Sequence, residues 1–134
     1  MQFSQVLFET SGPIAVLTLN RPDLRNTLTD MEMIDEIESV CRAVQQDEAV
    51  SVLILTGAGT AFSAGGNVKD MLNKDKMFAG DPARIRENYR RGIQRIPLAL
   101  QRLDVPTIAA VNLSLIHISE PTRLLSISYA VFCL

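Results

Sequence analysis

The sequence predicts an α/β fold, on three observations. A helical stripe runs through Met33, Ile34, Ile37, Val40, Cys41 and Val44. A near-continuous apolar run with β-branched residues, Val50 to Thr56, follows it. Two short alternating segments, Val6–Thr10 and Ile14–Leu19, precede it and are separated only by Ser11-Gly12-Pro13. The order strand, strand, helix, strand implies a hairpin feeding a right-handed crossover, with the last two strands parallel.

Local chemistry marks the boundaries of each element. Gly12 and Pro13 punctuate the hairpin, and Asn20-Arg21-Pro22-Asp23 ends its second strand because proline cannot donate to a ladder. Thr29 and Glu32 have capping-box spacing, with Thr29 as N-cap, Glu32 at N3 and Leu28 positioned to staple onto Met33. The predicted helix spans residues 30–46. Cys41 lies on its apolar face and reads as a core residue. The other reading, a reactive thiol, needs a base or cation to lower its pKa. The run at 50–56 is expected to be buried on both faces, as in a parallel sheet. Gly57-Ala58-Gly59 ends it, and a short helix is expected from Val68.

Further along, Asp81-Pro82 is a helix start, with Asp as N-cap and Pro at N1. Ile85, Tyr89, Ile93, Ile96, Leu100 and Leu103 keep a helical stripe, and Pro97 predicts a kink or break near it. Six arginines (Arg84, Arg86, Arg90, Arg91, Arg95 and Arg102) decorate this region. They form either a solvated face or a set of phosphate contacts. Val105-Pro106 leads into a last predicted strand, Thr107 to Val111.

Composition narrows the functional classes. With 134 residues, the chain suits one domain. A net charge of -2 argues against a nucleic-acid partner held by bulk charge. Two cysteines, Cys41 and Cys133, without a CxxC pair exclude a disulfide scaffold and a cysteine-rich metal site. No apolar stretch reaches the roughly 18 residues of a membrane helix, and no signal peptide is visible. A cytoplasmic setting with no membrane association is expected.

The local signals agree with one another up to Asn112 and then stop agreeing. Leu113 to Leu134 has neither a helical nor a strand period. It resembles translated DNA from a transposase-based sequencing library. Leu113 to Arg123 matches the adaptor, Leu124-Leu125-Ser126 fills the space of an index, and Ile127 to Leu134 matches the flow-cell end. Residues 113–134 are therefore read as an artefactual tail without a domain and are excluded from fold reasoning. His117 and Cys133 are excluded with it, as is the sequon Asn112-Leu113-Ser114 that spans the junction.

The element that carries chemistry is Ala61-Phe62-Ser63-Ala64-Gly65-Gly66-Asn67-Val68. It follows a predicted buried strand and opens a short helix. Glycines let backbone N–H groups approach a ligand, and a helix N-terminus adds partial positive charge. It is neither a Walker loop nor GxGxxG. From the residues alone it is either an anion-friendly turn or an ordinary tight turn. Asn67 is placed to cap the helix that begins at Val68.

This segment resembles the signature of the crotonase (enoyl-CoA hydratase/isomerase) family. Asn20-Arg21-Pro22 with Asn26-Thr27-Leu28 resembles that family's early element, and Pro106-Thr107-Ile108-Ala109-Ala110-Val111-Asn112 its later strand. The resemblance covers residues 4–112 and implies the first part of a spiral of ββα units, with residues 1–112 an incomplete crotonase-like domain. It also implies an acyl-CoA substrate, no separate cofactor, no metal, and a parent protein that is a homotrimer or hexamer. The backbone N–H of Gly66 becomes one donor of an oxyanion hole, and Arg25, Thr27, Ala64, Gly66, Asn67 and Val68 line the CoA and acyl pocket. The second donor and the acid/base glutamates belong downstream of Asn112 and are missing here, so the chain itself is expected to be inactive. The alternatives are a non-catalytic CoA-thioester-binding module and another crotonase reaction, such as thioester hydrolysis or dehalogenation.

Overall fold

A computed structural model describes residues 2–112. The hairpin forms as expected: β1 (Val6–Ser11) pairs antiparallel with β2 (Ile14–Leu19), from Val6 opposite Leu19 to Ser11 opposite Ile14. Gly12 makes the turn at φ +57°. The chain then crosses through α1 (Met31–Gln46) to β3 (Val52–Gly57), which runs parallel to β2. Beyond it come α2 (Val68–Asn73), α3 (Pro82–Arg91), α4 (Arg95–Gln101) and β4 (Thr107–Ala109). β4 pairs parallel with β3, so the sheet order is β1-β2-β3-β4.

The core lies between one face of this sheet and α1. All six residues of the predicted helical stripe are buried. They meet Val6, Ala15, Leu17, Leu19 and Leu53 from the sheet, with Ile96 and Leu100 closing the far side. Buried apolar area of this kind is the main stabilising term of a small domain. Cys41 is a core residue, and burial pushes its thiol up to about 11. That removes the thiolate a reactive cysteine needs.

Polar ties hold α1 in register with the sheet. The Glu36 carboxylate accepts the backbone N–H groups of Ser4, Gln5 and Val6 at 2.8, 2.7 and 3.0 Å. On the opposite side, Arg95 of α4 pairs with Asp35 at 2.7 Å and with Glu38. Arg95 is thus committed to packing, and Arg91 pairs with Glu87 one turn back in its own helix.

Four expectations need correction. Thr29 is not the N-cap of α1. Asp30 holds that position with no side-chain cap bond, and Glu32 bonds Ser4 Oγ and Gln5 Nε2 instead of closing a capping box. The long-range partners displace the local motif. β3 is not buried on both faces: Leu53 and Gly57 are buried, while Val52, Ile54, Leu55 and Thr56 are only half-buried. α1 covers one face, and the residues of the other face stay only partly covered. The helical break falls at Gly92–Gln94, ahead of Pro97, where Gly92 passes so near Met77 and Asn88 that a side chain would collide with both. Pro97 sits in the first turn of α4, where its missing N–H lacks an intrahelical acceptor anyway. The last strand is shorter than expected, ending at Ala109. The predicted tail, with His117, Cys133 and most of the sequon, lies outside the described residues.

Two outcomes follow for stability. Ile37→Ala removes a fully buried side chain and should cost about 2–5 kcal/mol in urea denaturation. For Cys41 the folded pKa is raised, so between about 9 and about 11 the unfolded chain loses the thiol proton and the folded chain keeps it. Stability should therefore fall as pH rises through that window, and the fall should shrink in Cys41→Ala. An unchanged pH slope in the variant would refute the assignment.

Candidate functional site

The glycine turn is built from two loops laid side by side. The first runs from the end of β2 to the start of α1, through a 3-10 turn at Pro22–Leu24. The second runs from the end of β3 to α2. Backbone bonds join them: Ala64 N–H donates to the Arg25 carbonyl and Leu28 N–H to the Gly65 carbonyl, both at 2.8 Å. Thr27 and Gly65 form an isolated parallel bridge. Ser63 Oγ donates to the Asn26 carbonyl at 2.7 Å and accepts the Gly65 N–H at 3.0 Å.

Asn26 holds the assembly at its centre. It is fully buried, with φ +54°, a conformation asparagine tolerates better than most residues. Its amide nitrogen donates to the carbonyls of Ala58, Ala61 and Phe62 at 2.9, 2.9 and 3.2 Å. Its side-chain oxygen accepts the Arg21 N–H at 2.7 Å. One side chain thus satisfies a buried carbonyl, that of Ala61, and two part-buried ones.

The sequence-predicted residues converge on this junction. Arg25 is exposed, with φ +51°, and contributes its carbonyl. Thr27 is buried in the bridge. Ala64, Gly66 and Asn67 are half-buried and Val68 is 63% exposed. Asn67 caps α2 as expected: its side-chain oxygen accepts the Lys69 N–H at 3.0 Å. The Asn67 N–H itself donates to Thr29 Oγ1 at 3.3 Å, which is where the threonine hydroxyl goes instead of capping α1. Gly66 is different from its neighbours. Among the described residues its N–H donates to no protein acceptor, although the amides on either side do.

Lys76 closes the back of the site, with Nζ at 3.3 Å from Asp30 and 3.6 Å from Asp70, linking the start of α1 to α2. The Asp30 carboxylate holds the Lys76 ammonium above its ordinary pKa. Among the described residues no cluster of His, Cys, Asp and Glu could hold a metal ion, and no helix is long and apolar enough to cross a membrane. A cavity of about 250 Å³ between α1 and α4, lined in part by Glu38, Arg42 and Leu103, contains none of the predicted site residues.

Residues 9–114 match the family model described as Enoyl-CoA hydratase/isomerase. The chain belongs to this family. The enoyl-CoA hydratase/isomerase match takes in both loops of the junction and all four strands except the first residues of β1. The chain is 37% identical over 115 residues to a hydroxycinnamoyl-CoA hydratase-lyase of Pseudomonas fluorescens, covering 83% of this chain and 39% of that protein. It is 32% identical to a short-chain-enoyl-CoA hydratase of Clostridium acetobutylicum, covering 84% and 40%. In structure it is similar to an enoyl-CoA hydratase/isomerase from Xanthobacter autotrophicus Py2, with a TM-score of 0.68, 33% identity and coverage of 83% and 39%. The chain thus spans about two fifths of the length of the relatives it matches, and the α/β fold seen here is the crotonase-like fold that the sequence motifs imply.

Sequence reasoning missed Asn26 as a site residue, along with the bridging roles of Thr29 and Ser63. Asn26 belongs to the Asn26-Thr27-Leu28 motif, and a polar residue next to a tight turn was the available signal. Asn26→Asp replaces a donor with a carboxylate facing three carbonyls. It should cost about 3 kcal/mol or more in denaturant melts, whereas Asn73→Asp, on an exposed position, should stay within about 0.5 kcal/mol. Equal effects would show that the clamp does not matter.

Proposed function

We propose that the parent of this chain is an acyl-CoA hydratase or isomerase and that the Gly66 N–H is one of the donors that hold its thioester oxygen. The single observation behind this reading is the Gly66 N–H, which meets no acceptor among the described residues while the amides of Ala64, Gly65 and Asn67 around it are occupied and hold the turn to the neighbouring loop. A donor fixed before substrate arrives needs no reorganisation as negative charge grows on the oxygen, and such donors are worth about 10²–10³ in rate each. The relatives are named for hydroxycinnamoyl-CoA and short-chain enoyl-CoA, which share a thioester conjugated to a carbon–carbon double bond. Polarising that carbonyl makes the distant alkene carbon electrophilic toward water, and it also stabilises an enolate formed by proton loss. One donor site therefore suits either reaction.

Arg25, Thr27, Ala64, Asn67 and Val68 surround this donor and are assigned to the CoA and acyl pocket. The acids that would choose between hydration and isomerisation are expected beyond Asn112, as is the second donor. Residues 113–134 contain no glycine and one glutamate, Glu120, so this chain should bind weakly and turn nothing over. The intact enzyme is assigned to the cytoplasm as a trimer or hexamer that needs no separate cofactor.

The test is a titration of ¹⁵N-labelled chain with crotonyl-CoA. The Gly66 amide proton should move downfield as it gains an acceptor, more than any amide of α1, and the enoyl absorbance should show no enzymatic loss. A Gly66 resonance that stays still at saturating ligand would overturn the donor assignment. Measurable hydration would overturn the inactivity.

A further inference from the structure

The loop that leads to Gly66 is gripped by a second asparagine, from the side opposite Asn26 in sequence. Asn112 Nδ2 donates to the Gly57 carbonyl at 2.8 Å and to the Gly59 carbonyl at 3.0 Å. Together the two carboxamides engage five carbonyls between residues 57 and 62: Gly57 and Gly59 from Asn112, and Ala58, Ala61 and Phe62 from Asn26. Alternate carbonyls of the segment 57–59 thus go to alternate clamps. A loop held on one side only can rotate about that side, whereas a loop held on both sides has its direction set.

The two clamps refer the loop to different parts of the protein. Asn26 belongs to the loop that bonds residues 63–65 directly. Asn112 follows β4, whose position is set by the sheet: Ala110 N–H donates to the Leu55 carbonyl at 2.8 Å, and Thr56 Oγ1 donates to the Ala110 carbonyl at 2.9 Å. Asn112 has two amide hydrogens and two acceptors, so each hydrogen has its own carbonyl. Its side-chain oxygen is buried and meets no partner among the described residues, so the amide orientation is carried by the nitrogen's contacts.

We propose that Asn112 is a positioning residue for the Gly66 donor: its carboxamide ties the 57–59 segment to the end of β4 and so fixes, relative to the sheet, the turn that carries the Gly66 N–H. This rests on the reading of Gly66 as the thioester donor. Asn112 touches no reacting atom in this account. It acts through the loop.

The experiment uses the full chain with Asn112→Asp, which keeps size but removes both donors, and Asn112→His, which keeps one ring N–H. In the ligand-free Asn112→Asp chain, the ¹⁵N-¹H resonances of Gly59, Ala61 and Gly66 should shift while those of α1 hold. Crotonyl-CoA should bind about tenfold more weakly, the equivalent of about 1.4 kcal/mol. Asn112→His should fall between the two. A lowered melting temperature with Gly66 unmoved would reduce Asn112 to a strand cap and overturn the proposal, and so would a shifted Gly66 with unchanged affinity. If Asn112→Asp fails to fold, the histidine variant decides on the same readouts. If the unaltered chain does not bind crotonyl-CoA, the thioester reading falls, and the ligand-free shifts alone decide whether Asn112 sets Gly66.

Discussion

The site depends on the satisfaction of buried and part-buried loop carbonyls by the Asn26 carboxamide. The chain between β3 and α2 reverses direction in a partly buried loop, where neither a helix nor a ladder pairs its backbone. Each unpaired buried carbonyl there would cost on the order of 1–3 kcal/mol. One side chain with two hydrogens, placed among the carbonyls of Ala58, Ala61 and Phe62, removes most of that penalty. It can do so only because the residue's own backbone sits in the left-handed region, which carries the side chain inward and turns its carbonyl toward Ser63. Asn26 thus makes the second loop possible, and the second loop carries Gly66.

That constraint explains why local rules fail just beside it. Thr29 and Glu32 have the spacing of a capping box, yet neither caps α1. The Thr29 hydroxyl accepts the Asn67 N–H, and the Glu32 carboxylate accepts from Ser4 Oγ and Gln5 Nε2, just ahead of β1. A cap is worth about 1 kcal/mol, and α1 forgoes it because the same hydroxyl joins the two loops. The helix can forgo it, since six buried side chains hold it against the sheet. Departures from local consistency concentrate at functional sites, and here the departure falls where the two loops meet.

The fold was legible where short-range periodicity decides the structure. The stripe from Met33 to Val44 marks the buried face of α1 because a 3.6-residue period has one physical reading over about three turns. The hairpin and the Asp81-Pro82 helix start were legible for the same reason. Single-face burial of β3 was not, because an apolar run looks the same whether one face or two are covered. The place of the break before Pro97 was not, because the proline fits the first turn of α4 and the chain turns earlier, at Gly92–Gln94. For the site, the glycine pair and the Asn67 cap were visible as turn chemistry. The roles of Asn26 and Asn112 were not, because their acceptors lie more than thirty residues away in the chain, and no local pattern encodes that distance.

The two glycines of the turn look alike in sequence but answer different demands. Gly65 has φ +72° and open space where a Cβ would stand. Its requirement is conformational: a side chain would fit, but the backbone would be strained. Gly66 has no such φ, yet a Cβ there would come within 2.2 Å of Met71 Cε, near Thr29 and Phe78. Met71 Cε is the free end of an exposed, flexible side chain that can move aside, and the Thr29 and Phe78 contacts are of ordinary length, so the demand at Gly66 is weaker than at Gly65. The first glycine bends the chain so that its carbonyl meets Leu28 and its N–H meets Ser63. A turn made only for reversal needs the first kind of glycine. What sets Gly66 apart from Gly65 and Asn67 is its N–H, which has no acceptor among the described residues while theirs do.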